Sequence, residues 1–185
     1  MAIDLSHLPP RDPDSGLIHV LIETPRGSRN KYRYDETLKL FMLHKQLPRG
    51  ASFPFDFGFI PSTRAEDGDP LDVLVLMEDP TFTGCLVTTR LLGAIEANQT
   101  SKAGTVRNDR LIGVAQTEKI RPRERSLADL APGIVDDIEH FFVSYNEAEG
   151  RRFELLGRRD AKAAERLVDE GIAKLRAESR TAGAP

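Results

Sequence analysis

The stretch "EDGDPLDVLVL" (66–76) sets Asp67, Asp69 and Asp72 directly ahead of an unbroken apolar run. Like charges a few ångströms apart repel, and a buried carboxylate without a partner is costly. Two readings answer the crowding. Asp-Gly and Asp-Pro are turn dipeptides, so the acids can be punctuation facing water. That accounts for Asp67 and Asp69 but not for Asp72, which stands inside the strand run where aspartate is disfavoured. The other reading places a hard divalent cation among the carboxylate oxygens and turns repulsion into attraction. Gly68 permits a sharp turn and Pro70 fixes the backbone before the strand, so the three side chains can converge on one pocket. A helix–loop–helix calcium loop counted from Asp67 fails. Glu78 does fall at its twelfth position, but Asp72 takes the place of the required glycine and Leu71 that of a ligand.

The run that follows decides the architecture. "LDVLVLM" (71–77) is almost continuously apolar, as expected of a strand covered on both faces. Upstream, "LIHVLIE" (17–23) reads as a strand, "PRGSRN" as a turn before "KYRYD", and "LKLFML" (38–43) as a further strand. "FPFDFGFIP" (53–61) alternates with a period of two, which predicts one face in a core. Downstream, "CLVTTRLLGAIE" (85–96) and "RLIGVAQ" (110–116) read as strands joined by a polar connection, "ANQTSKAGTVRND". Helices come late. Residues 132–146 carry Ile134, Ile138, Phe141, Phe142 and Tyr145 on one stripe, with Pro132 suited to the first turn. Residues 160–178 begin at the cap Asp160 and align Ala164, Leu167, Val168, Ile172 and Leu175. Strands crowd the first two thirds and helices the last, which predicts an α+β protein: a strongly bent sheet or small barrel packed by C-terminal helices.

Composition bounds the function. A chain of 185 residues with 39% hydrophobic content can bury a core, and we expect one domain over 17–178, an extended arm over 1–16 and a fraying tail over 179–185. Acidic and basic residues number 29 and 26, a net charge of −3 that gives no bias toward nucleic acid. The single cysteine, Cys85, sits in a strand-like run and reads as a small core residue; it permits no internal disulfide and suits a reducing cytosol. Neither a secretory leader nor a membrane-spanning segment is legible, so a cytoplasmic protein is expected.

Asp67-Gly68-Asp69-Pro70-Leu71-Asp72-Val73 matches D-x-D-P-x-D-V, and here the chain resembles the soluble family I inorganic pyrophosphatases. "VLIETPRGSRNKY" (20–32) is similar to that family's opening strand, "FPFDFGFIPST" (53–63) to its aromatic stretch, and "IEHFFVSYN" (138–146) to its helix. The resemblance covers roughly residues 17 to 150. It implies a five-stranded, OB-like closed barrel flanked by helices, and hydrolysis of pyrophosphate with magnesium, for which manganese can substitute. It implies metal ligation by Asp67, Asp69 and Asp72, with Asp69 also the general base and Glu23 facing the metals through water. Lys31, Lys45, Arg110 and Tyr145 would grip phosphate. It also implies homo-oligomers, since relatives form dimers or hexamers. Taken singly, Glu23 and Lys31 read equally as surface charge and Tyr145 as core packing; their order around the triplet joins them.

The departures are specific. Lys31-Tyr32-Arg33 carries a base where the family has an acid, Lys45 replaces an arginine, Phe53 and Phe57 replace tyrosines, and Asn146 replaces a lysine. In 96–114 the resemblance calls for two more acids and a lysine. Arg110 aligns with the lysine and Asn108 with the second acid, while Asp109 is one step out of place, so Glu96 or Asp109 is left to supply metal ligation. The expectation is a pyrophosphatase with fewer essential metals or shifted specificity. The alternatives are a hydrolase of another polyphosphate or nucleotide diphosphate, or a catalytically silent protein that binds a phosphorylated ligand or a partner.

Overall fold

Alternate residues of one strand feed two different cores. In the computed structural model, which describes residues 4–182 apart from 118 and 121, strand β5 spans Asp72–Leu76. Val73 and Val75 join one apolar cluster, with Ile18, Val20, Ile22, Leu91, Ala164 and Val168. Leu74 and Leu76 join another, with Phe53, Phe57, Ile112, Ile138 and Phe142. The both-faces expectation for this run holds.

The strands around it are β1 (Ile18–Thr24), β4 (Asp56–Phe59), β6 (Leu86–Ser101) and β8 (Arg110–Ala115). β1 pairs antiparallel with β4, β4 with β5, β5 runs parallel to β8, β8 pairs antiparallel with β6, and β6 returns to β1. These pairings close a ring of five strands, so no strand among them keeps a free edge. Closure requires close approach at Gly58, where a Cβ would stand 2.2 Å from the carbonyl oxygen of Leu21. The alternation of 53–61 does not yield a one-faced strand: all four residues of β4 are buried. Ring curvature encloses one face, and the helix α1 (Ile134–Ala148) covers the other.

Two further differences lie beyond the ring. The polar stretch after 96 is not a loop. β6 runs on to Ser101, turns, and returns as β7 (Gly104–Arg107) with Gly104 at φ 126°. A strand also stands between the helices: β9 (Arg152–Asp160) pairs antiparallel with the same half of β6. Its run "RFELLGRRD" carries too many charges to read as a strand, and all but Phe153 lie exposed. Helix α2 spans Ala161–Ala182, and Asp160 caps it by accepting the N–H of Ala163 at 2.8 Å. Ala164 and Val168 are fully buried with Leu167 and Ile172 packed beside them, as the apolar stripe predicts. α1 starts after Gly133, which holds φ 90°, so Pro132 lies just outside it.

The hairpin β2 (Asn30–Asp35) and β3 (Leu40–Gln46) forms its own two-stranded sheet. The strand expected at 38–43 begins two residues later, because Leu38 and Lys39 belong to a turn closed by Asp35, which accepts the N–H groups of Thr37 and Leu38. Asp56 is the buried tie of this end of the molecule. Its two oxygens accept the backbone N–H groups of Arg26 and Thr81 at 2.7 and 2.8 Å, fixing two loops to β4. Asp56→Ala is expected to cost about 3 kcal/mol, because both donors lose a charged acceptor. Urea unfolding midpoints check this, with Asp56→Asn, which keeps one acceptor, falling between that variant and wild type.

Candidate active site

The acidic loop is held from behind by the last helix. Ala65 accepts Lys174 Nζ at 2.9 Å, the N–H of Arg64 donates to Gly171 O at 3.0 Å, and Arg64 pairs with Glu178. Gly171 is small where Leu71 presses on α2, since a Cβ there would meet Leu71 Cδ1 at 2.8 Å. Gly68 takes φ 87°, the turn expected of it. The backbone N–H of Asp69 donates to Asp67 Oδ1 at 3.1 Å. These contacts give α2, whose sequence carries no site residue, the task of setting the loop.

The carboxylates of this loop act on one another, and Asp72 acts on Glu23 at the end of β1. Burial pushes Asp67 up from its ordinary value; the N–H of Asp69 opposes that, the charges of Asp72 and Asp69 add to it, and Arg110 offsets part. Glu23, 7% exposed, accepts the N–H of Tyr34 at 2.7 Å. Burial lifts its pKa to about 7 against that hydrogen bond, with Lys31 and Arg33 opposing and Asp72 adding to the rise. Two guanidinium groups meet the cluster. Arg33 Nη2 lies 2.7 Å from Asp69 Oδ1. Arg110 Nη1 lies 2.5 Å from Asp72 Oδ2, also donates to Asn108 Oδ1, and its guanidinium stacks 5.0 Å from the Phe142 ring centre. Asp69 and Asp72 are thus paired, while Glu23 and Asp67 have no ion-pair partner among the described residues.

Basic groups stand on the other side. Lys31 on β2 and Lys45 on β3 are cross-strand partners. Lys31 Nζ sits 5.2 Å from the Phe57 ring centre, and Lys45 Nζ sits 4.8 Å from that of Tyr145. Burial pulls His44 below its ordinary value, and Lys31, Lys45 and Arg33 pull it further. Tyr145 stacks on Phe141, with ring centres 5.8 Å apart. Lys45 has a counter-ion that the sequence did not mark: Glu149, past the end of α1, at 2.7 Å. That hydrogen bond, opposed by burial, holds the Glu149 carboxyl below its usual range.

Residues 96–110 assemble differently. Asp109 Oδ1 accepts the N–H of Ala97 at 3.0 Å, where the β6 register shifts, and pairs with Arg107 at 2.5 Å. Glu96 is bracketed by Arg107 at 2.5 Å and Arg159 at 2.7 Å, which hold its carboxyl low against its burial. Both acids that the sequence offered as substitutes for the missing ones are therefore engaged by arginines. β9 delivers Arg159, which explains why its role could not be seen without that strand.

The fit of a divalent cation follows from charge and donor type. Glu23, Asp67, Asp69 and Asp72 supply only oxygen donors, the set that magnesium and manganese take. Buried Glu23 without an ion pair, and Asp67 raised by partial desolvation and by the charges of Asp72 and Asp69, are the imbalance that a cation relieves. Among the described residues, no three acidic, histidine or cysteine side chains stand at the spacing of a finished metal site, as Arg33 and Arg110 hold two of the four acids. The chemistry fits; the side chains are set in a charge-paired arrangement.

Known proteins share both the sequence and this fold. The family model described as inorganic pyrophosphatase matches residues 20–176. An inorganic pyrophosphatase of Synechocystis is 41% identical over 92% of this chain and 98% of that protein. One from Thermus thermophilus is 38% identical over 92% and 97%. Among solved structures, the Thermus thermophilus inorganic pyrophosphatase superposes with a TM-score of 0.85 at 37% identity, covering 94% of this chain and 99% of that one. The Neisseria gonorrhoeae enzyme gives 0.82 at 30% identity, covering 91% and 96%. With the family model matching residues 20–176 and a relative 41% identical over 98% of its own length, the chain belongs to the inorganic pyrophosphatase family.

Proposed function

We propose that this protein hydrolyses inorganic pyrophosphate to two orthophosphates, with Asp69 as the general base. The observation that supports it most directly is the meeting of two opposite charge clusters: Glu23, Asp67, Asp69 and Asp72 on one side, the cross-strand pair Lys31 and Lys45 on the other, with Arg33 between. A diphosphate needs both. The basic side takes its anionic oxygens, and the acidic side takes the cations that accompany it.

Magnesium, when bound to these carboxylates, lowers the pKa of its water and offsets charge on the phosphoryl oxygens. The chain's own residues divide the remaining work. Asp67, Asp69 and Asp72 would hold the cation, with Glu23 behind them. Asp69 also accepts the proton of the attacking water. It is half exposed at the mouth of the cluster, where a water can reach it. As the new P–O bond forms, the bridging P–O bond breaks and its electrons leave with the second phosphate. Lys31 and Lys45 compensate the leaving charge, and Tyr145 presents the aromatic wall beneath both. Arg110, fixed by Asp72 and Asn108, keeps a permanent positive charge beside Asp67. Asp109 stays outside the cation set, since Ala97 and Arg107 engage its carboxylate.

Phosphate release from pyrophosphate, measured with magnesium, with manganese and with a chelator, tests the reading. Turnover is expected with either cation and none after chelation. Binding of pyrophosphate without turnover under both cations would favour a silent binding protein instead, and faster release from tripolyphosphate or a nucleotide diphosphate would shift the substrate.

A further inference from the structure

Arg33 has two places to put its charge. On one side its guanidinium touches Asp69 through a single contact, Nη2 to Oδ1 at 2.7 Å, with the two side chains 54% and 55% exposed. Such a pair is screened by water and exchanges easily. On the other side, Arg33 lies two residues from Lys31 on β2, opposite Met42 of β3, and it joins Lys31 and Lys45 as a positive charge acting on His44. It stands at the border of the acidic and basic clusters, and it acts on Glu23 as well.

The contrast with Arg110 is instructive. That guanidinium is 6% exposed, bonded to Asp72 and Asn108, and packed against the rings of Phe142 and Phe153. It has nowhere to go. Arg33 has no hydrogen-bond partner besides Asp69 among the described residues, no ring beneath it, and open solvent around it.

We propose that Arg33 is a displaceable counter-ion: it latches Asp69 in the free protein and passes to the oxygens of the bound phosphate when a divalent cation takes its place on Asp69. The inference rests on the functional reading above and deepens it. A planar guanidinium matches two phosphate oxygens as well as it matches a carboxylate, so the transfer loses little bonding. Its consequence is coupling. A cation must displace Arg33 to reach Asp69, so cation affinity is held down in the free protein. An anion that draws Arg33 away removes that competition, and linkage makes the effect reciprocal.

Manganese titrated into substrate-free protein, followed by electron paramagnetic resonance, reads the latch without turnover, and orthophosphate serves as the anion probe. Arg33→Gln is expected to bind Mn2+ roughly tenfold more tightly, since a unit charge leaves the carboxylate. Lys31→Gln, the same change of charge away from Asp69, is expected to gain less than about threefold. Arg33→Lys should stay near wild type. In an Asp69→Asn background, Arg33→Gln should leave Mn2+ affinity unchanged. Orthophosphate should tighten Mn2+ binding in wild type and not in Arg33→Gln. Equal gains from Arg33→Gln and Lys31→Gln, persistence of the gain without Asp69, or no Mn2+ binding in either wild type or Arg33→Gln each overturns the latch. A protein that shows the expected pattern yet releases no phosphate from pyrophosphate keeps the latch and overturns the functional reading, so the two fail separately.

Discussion

Asp69→Asn is expected to lower pyrophosphate turnover by roughly 10³-fold, the range in which a positioned general base acts. The amide keeps the size of the side chain and can still accept from Arg33, but it has lost the basicity that takes a proton from water. The turn itself does not depend on that charge. Its backbone is set by the N–H of Ala65 donating to Asp69 O at 2.8 Å and by the contacts of α2 with Arg64 and Ala65. Stability should therefore change by under about 1 kcal/mol, as for an exposed ion pair. Steady-state phosphate release at saturating magnesium, with a thermal melt of the same preparation, checks both halves. Turnover within a few fold of wild type would move the base to another carboxylate, Glu23 being the nearest in chemistry.

The largest loss of stability is expected from Gly58→Ala. β4 crosses β1 so closely that the added carbon would lie 2.2 Å from Leu21 O and 2.9 Å from Ile22 Cα, both backbone atoms that cannot rotate aside. Relief requires the two strands to part, and they are adjacent members of the closed ring. Overpacking of this kind costs roughly 3 kcal/mol or more, which lowers the melting temperature by roughly 6–12 °C in a chain of this size. Gly68→Ala offers the comparison: nothing lies within 4 Å of its Cβ, and only its φ of 87° is strained. Calorimetry of both variants should therefore rank Gly58→Ala well below Gly68→Ala. The reverse order would mean that the ring closes more loosely than its register implies.

The strands of the ring were legible where the chain is plainly apolar. "LDVLVLM", "LIHVLIE" and "RLIGVAQ" each fall within a residue or two of an observed strand. Both helices were legible from their stripes, and Asp160 from its capping chemistry. The extension of β6 and the strand β9 were not. The β6 extension is polar and half-buried beyond Ala97, and β9 is heavily charged and mostly exposed, so their strand character comes from backbone pairing with one another and with β7 and leaves no periodic signal. "LKLFML" was legible as a strand, which begins at Leu40, but its surroundings were not. Leu40, Met42 and Leu43 are apolar yet exposed, because their hairpin lies off the ring.

For the site, spacing alone determined the acidic turn, since Gly68, Pro70 and the placement of three aspartates are properties of consecutive residues. Resemblance along the chain also picked out Glu23, Lys31, Lys45, Arg110 and Tyr145. Which charges face which was decided only in three dimensions. Arg33 is 36 residues from Asp69, and Arg110 is 38 from Asp72. Glu149 meets Lys45 only because α1 ends beside β3. Glu96 and Asp109, plausible ligands by position, are engaged by arginines, one of which arrives on a strand that the sequence concealed. A local pattern can specify a turn because its forces act between neighbours along the chain. Charge pairing acts through space, so it waits on the closure of the ring and on the segments that close it.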